Sequence, residues 1–170
     1  MSSPGTALFP DYTSVEIVSL DELCDPALQR ARDYWRMLRG TRHHPARADV
    51  NARDIAFAMK HMVLAKVVDG GADLLLSIVG DEVCRAYSTP MNGRRISEIA
   101  GQMPKVAEKW RFIHRMVAAS REPVAVNVNV GLDQPEVNYT HLEVVCFPLG
   151  PDDNTIDHLL VFGKHMLRTA

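Results

Sequence analysis

The 170-residue sequence holds only three cysteines, Cys24, Cys84 and Cys146. Their number is odd, they stand far apart, and no two have metal-ligand or redox spacing. A disulfide framework is therefore not expected, and reduced thiols are. Nowhere do about 18 apolar residues follow one another, and no N-terminal stretch joins basic residues to an apolar core. The sequence reads as a cytoplasmic protein with no membrane segment or export signal. A dominant charge is missing too: 19 Lys and Arg stand against 21 Asp and Glu, a formal charge of -2. Nucleic acid is thus not an expected partner. The one basic run, Arg36, Arg39, Arg42, His43, His44 and Arg47, reads as a helix C-terminus and its loop, where cations meet exposed carbonyls. There is no phosphate-cradling glycine loop, no His-Glu-x-x-His, no nucleophile elbow and no kinase sequence, so nothing points to catalysis.

What is present fits one domain over residues 21–170. Residues 1–20 form a leader, either partly disordered or added to the sheet as an edge strand through Val15 and Ile17. Asp25 and Pro26 start a helix as N-cap and first helical residue. Leu28, Ala31, Trp35 and Leu38 form its apolar stripe, and Gly40 stops it. Asn51 caps a short helix carrying Ile55 and Met59. Met62 to Val68 and Leu74 to Gly80 read as an antiparallel hairpin around Asp69 to Asp73. Short helical pieces follow, Asp81 to Tyr87 and Arg94 to Ile99, separated by the turn residues Pro90 to Gly93.

Pro104 begins a longer helix with Val106, Trp110, Ile113 and Val117 inward and Lys105, Glu108, Lys109 and Arg115 toward water. A three-stranded meander closes the chain. Its strands are Val124 to Val130, with the valines inward and Asn127 and Asn129 outward, then Val137 to Pro148, then Ile156 to His165, with a turn at Gly131 to Pro135. In the second strand Leu142, Val144 and Cys146 share one face, and Tyr139, His141, Glu143 and Val145 the other. The sum is an α+β fold, a five-stranded antiparallel sheet with helices on one face plus the N-terminal helix, leaving a pocket between sheet and broken helices.

Tyr34, Trp35, Arg36, Leu38, Arg39 and Gly40, then Pro45, Arg47 and Asp49, then Ile78, Val79 and Gly80, and last Asn92, Gly93, Arg94 and Ile96, carry a resemblance. They resemble the signature of a small, stand-alone bacterial branch of the PAS sensory family, over Ala27 to His165. Ser77 and Asp81 stand where that pattern usually has arginine and threonine, and Ala52 stands where proline is common. The resemblance implies a PAS-like fold and a sensing or protein-interaction module, with signal passed through the N-terminal helix or the outer sheet face. It does not carry a ligand identity across, because the strand arginine is replaced.

The pocket is expected to draw on Ser77, Cys84, Arg85, Tyr87, Trp110, His114, Val126, Val128, Leu142 and Val144. His114, one turn after Trp110, is where some relatives of the wider fold ligate haem, but one histidine at helical spacing does not carry that cofactor. Cys84 and Arg85 sit between Val83 and Ala86, unlike the Asn-Cys-Arg-Phe motif of flavin photochemistry, so a flavin is not expected and Cys84 reads as a small packed thiol. The cofactor stays unknown, and no metal is expected. His43 and His44 read as two exposed loop histidines, and Tyr139, His141 and Glu143 as a solvent face.

The favoured function is a non-catalytic sensory module for a small molecule or protein partner. It is expected to form a homodimer through Leu28, Ala31, Trp35 and Leu38, an apolar stripe that would seek a second copy. The alternative is a small cone-shaped isomerase or hydratase using His141 and Glu143. A hairpin ahead of the long helix argues for the first.

Overall fold

Alternation in Val124–Asn129 sends Val124, Val126 and Val128 to one side of a strand, and the computed structural model, which describes residues 14–130 and 137–169, buries all three. Six strands form the sheet: β1 (Ser14–Val18), β2 (Met62–Val68), β3 (Asp73–Val79), β4 (Val124–Asn129), β5 (Tyr139–Leu149) and β6 (His158–Leu167). Every pairing is antiparallel, in the order β1-β4-β5-β6-β2-β3. The expected count of five rises to six because the Val15 segment does add to the sheet, pairing Val15 with Val128 and Ile17 with Val126. The residues before 14 and the expected turn from Gly131 to Pro135 lie outside the described residues.

One sheet face is covered by α2 (Asp81–Tyr87), α3 (Ile96–Gln102) and α4 (Pro104–Ser120). Val106, Trp110, Ile113 and Val117 are buried there, as their spacing predicts. Lys109 is buried with them, only 4 % exposed, which corrects the expectation that it faces water. Lys109 stands three residues after Val106 and four before Ile113. Its angle around the helix therefore belongs to the buried stripe, whatever its charge.

The opposite face is covered by α1 (Pro26–Arg39), so helices lie on both sides of the sheet. The Asp25 carboxylate accepts from the backbone N–H groups of Ala27 and Leu28 at 2.9 and 3.3 Å, satisfying two of the first-turn donors. Leu28, Ala31 and Trp35 are buried against Phe147, Leu160 and Phe162 of the chain's own sheet. The Trp35 ring stacks on Phe147 at 5.5 Å between centroids, and its Nε1 donates to the Pro148 carbonyl at 3.0 Å. This corrects the expectation of a stripe open to a second copy: Leu28, Ala31 and Trp35 are already spent on the sheet, and only Leu38 keeps part of its surface.

Two irregularities set which side chains reach each face. In β3 the register with β2 slips so that Leu64 pairs with Ile78 and Ala65 with Leu76, leaving Ser77 as the extra residue of a bulge. Leu76 and Val79 are thereby both buried while Ser77 and Ile78 are exposed. In β5 the register slips between Tyr139 and His141, which turns Tyr139 to the inner face with Leu142 and Val144. The expected solvent trio is thus divided. Glu143, on the outer face, is also buried, its two carboxylate oxygens accepting from the N–H groups of Cys24 and Asp25 at 2.9 and 2.8 Å. A carboxylate there meets the positive end of α1.

Trp35→Ala should cost about 3 to 5 kcal/mol, since it removes the largest side chain between α1 and the sheet. Urea unfolding of the two proteins reads the difference. A loss below about 1 kcal/mol would show that α1 is not held by this contact.

Candidate functional site

Inner-face positions of β6 follow period two: Leu159, Val161, Gly163 and His165. Gly163 carries no side chain, and a Cβ there would come within 3.2 Å of both His165 Cε1 and Leu142 Cδ1. Next to it a partly open cavity of about 20 Å³ lies between the sheet and helices α2 and α4. Val63, Leu142, Val144 and Val161 line it from the sheet, Val83 and Tyr87 from α2, and Lys109, Trp110 and Ile113 from α4, with His61, Gly163 and His165 completing the wall. Such a space admits about one water, and in this conformation it is far too small for a haem or flavin ring.

Polar atoms gather around this largely apolar space. Lys109 Nζ donates to Tyr87 Oη at 2.7 Å and lies 3.2 Å from Tyr139 Oη. The same nitrogen stands 5.3 and 5.5 Å from the centres of those two rings, at their hydroxyl edges rather than over their faces, so the contact is the hydrogen bonds themselves. Tyr87, Tyr139 and His165 meet edge to face, with centroids 4.9 to 5.6 Å apart. Among the described residues no carboxylate pairs with Lys109. Two phenols solvate the charge without neutralising it.

His165 is held neutral. Burial above all, then the positive charges of Lys109 and His61, push its pKa down to about 3. Part of the residue still reaches the surface, yet both ring nitrogens are buried with no well-formed hydrogen bond among the described residues, and the nearby Gly163 backbone works the other way on the ring without reversing the shift. His61 is also shifted down, by burial first and then by Lys164 and Lys60, and its Nδ1 is buried without a partner. Trp110 Nε1, a donor only, is in the same state.

Of the residues expected at the pocket, Tyr87, Trp110, Leu142 and Val144 meet at this cavity. Val126 and Val128 belong to the same inner core but do not line it. Cys84 is half-buried on α2, packed against that core. Three others are elsewhere. Ser77 is exposed in the β3 bulge, and Arg85 is exposed and pairs with Glu82 at 2.6 Å. His114 is half-buried beside clefts near the β2–β3 turn, its pKa lowered by burial and then by Arg115. One residue on from Ile113, it is turned about 100° around α4 from the side that lines the cavity.

Lys109, His61, His165 and Tyr139 lie outside the residues expected at the pocket. The period-two pattern of β6 and the angular position of Lys109 on α4 were available signals. Tyr139 required the β5 irregularity.

His141 and Glu143 do not form a pair that shares a proton. Glu143 is committed to the start of α1, and His141 Nδ1 lies 2.9 Å from Asn129 Oδ1. His43 and His44 do diverge, but His44 is buried with Nε2 2.9 Å from the Thr155 carbonyl, so only His43 is an exposed loop histidine. Among the described residues no cluster of His, Cys, Asp and Glu could hold a metal, and no helix is long and apolar enough to cross a membrane.

The sequence model of one family, described as PAS domain, matches residues 24–163. No curated protein and no solved structure matches.

Two outcomes follow from the cavity's electrostatics. The unfolded chain protonates His165 below about pH 6.5, whereas the folded one does so only near pH 3. Stability should therefore fall as pH drops through that window, by up to about 1.4 kcal/mol per pH unit from this residue, and His61 acts in the same direction. His165→Leu should flatten the profile measured by urea unfolding; equal slopes for both proteins between about pH 6 and 4 would refute the assignment. Lys109→Met, which keeps the volume and removes a charge that no carboxylate of the described residues meets, should raise stability by about 1 kcal/mol or more. A loss of about 2 kcal/mol would show that the amine is part of what holds the core together.

Proposed function

The chain belongs to the PAS domain family, and from that premise we propose that it is a non-catalytic sensory module that takes a small molecule at the cavity around Lys109. The observation that supports this reading is a mismatch between the space and its wall. The residues that carry a buried amine, an indole N–H and two neutral imidazoles stand in the wall of a void in an otherwise apolar core, and several of their polar atoms have no hydrogen-bond partner among the described residues. Folding gains nothing from such groups, since each buried unpaired polar atom costs about 1 to 3 kcal/mol. A ligand that meets them recovers that cost on binding.

The route outward is short. Leu142 and Val144 touch the cavity from the inner face of β5, and Glu143 between them holds from the outer face the N–H groups of Cys24 and Asp25, the two residues that lead into α1. A shift of β5 on ligand entry would reach α1 through two hydrogen bonds. The exposed side of α1, where Met37 stands free, is the proposed output surface for a protein partner. A second copy is one such partner, but it would have to meet this exposed side rather than the Trp35 stripe.

Native mass spectrometry of freshly purified protein tests the reading, together with the emission of Trp110 in a Trp35→Phe background. The expected result is a retained small molecule, or a saturable change in Trp110 emission on adding one from a metabolite set. A protein that carries nothing and whose Trp110 emission responds to no small molecule would sink it.

A further inference from the structure

We propose that the Lys109 site selects a small organic anion, a monocarboxylate of about two to four carbons, rather than a neutral or doubly charged ligand. The proposal deepens the reading of the cavity as a ligand site and rests on it. Its first support is charge. Lys109 lies in the core with two phenol oxygens as its hydrogen-bond partners and no carboxylate among the described residues. A cation taken out of water without a counter-ion is the most costly group a core can hold, and an entering carboxylate supplies that counter-ion.

The second support is the set of unused polar atoms. Trp110 Nε1 can only donate, and each neutral imidazole offers one N–H. A carboxylate has two oxygens with room for several donors, so it can take the lysine and further N–H groups together. A neutral amide brings one carbonyl and two N–H groups of its own, and it leaves the charge uncompensated.

Shape and lining supply the third. Val63, Val144, Val161 and Ile113 give the void an apolar side, which suits a short alkyl tail and opposes a second charge. The void of about 20 Å³ is little more than a water's worth of space, so the alkyl tail enters only if α2 moves aside, and a longer tail is opposed. A halide would answer the charge but leave the apolar side empty.

Propionate, propionamide, malonate and chloride, titrated at matched ionic strength into the full chain, separate these possibilities by thermal midpoint and Trp110 emission. Propionate should bind saturably and raise the midpoint, with propionamide and malonate weaker by about tenfold or more. In Lys109→Met, propionate should lose that advantage and bind no better than propionamide. Should Lys109→Met not fold, the wild-type ratio of propionate to propionamide still decides the matter.

Equal binding of propionate and propionamide would overturn the anionic class while leaving the cavity as a ligand site. Malonate binding as tightly as propionate, or chloride reproducing the full effect, would overturn the choice of a monocarboxylate in the same way. No response to any probe, charged or neutral, would overturn both this inference and the reading beneath it.

Discussion

Strand β5 is buried from Leu142 through Leu149, so both of its faces must be kept from water. That one constraint arranges the rest. The outer face takes α1 with Trp35 on Phe147, and the inner face takes α2, α3 and α4. Two separate apolar clusters result, with the sheet between them. The outer one is closed by a large stacked pair. The inner one is left with a small void where Gly163 has no side chain, and polar groups converge on that void.

The residues that carry the family resemblance serve the closure rather than the void. Trp35 seals α1 against the sheet and donates to Pro148. Tyr34 Oη accepts from the Asn51 N–H and donates to Asp54, tying α1 to the loop that follows it. Gly80 is required because a Cβ there would lie 2.3 to 2.4 Å from the carbonyl oxygens of Lys60 and Met59. The Asn92 amide meets the N–H and carbonyl of Val79 at 2.7 and 3.3 Å, extending the end of β3 as a strand neighbour would. None of these residues lines the cavity. That is the physical reason the resemblance speaks to fold and class but not to ligand. Ser77, the position of the missing strand arginine, is exposed in a bulge, so its substitution leaves the void itself untouched.

Lys109 sits at odds with the stability of the core around it. A lysine on the buried stripe of α4, solvated by Tyr87 and Tyr139 and flanked by neutral His165, is a local conflict between burial and charge. Cores normally resolve such conflicts with a carboxylate or an apolar replacement. Conflicts that persist tend to lie where a protein meets a ligand, because the groups that a ligand would satisfy are costly without it.

Much of this was legible before any coordinates. Asp25, Pro26 and Gly40 bound α1, the 106, 110, 113 and 117 spacing defines the buried side of α4, and the valines of β4 show its inner face, because caps and periodicity act within a few residues of chain. The sequence by itself therefore determined the antiparallel α+β class and the order of elements from α1 onward, while four of the ten residues expected at the pocket, Tyr87, Trp110, Leu142 and Val144, line the cavity. Only the tertiary structure decided that α1 spends its stripe on its own sheet, that Tyr139 turns inward past an irregularity, and that Lys109, His61 and His165 converge on one void. Those outcomes depend on what stands opposite a side chain across the sheet or the helix interface. Residues from positions 61, 87, 109, 139 and 165 become neighbours only when the sheet closes, and no local pattern along the chain encodes that encounter.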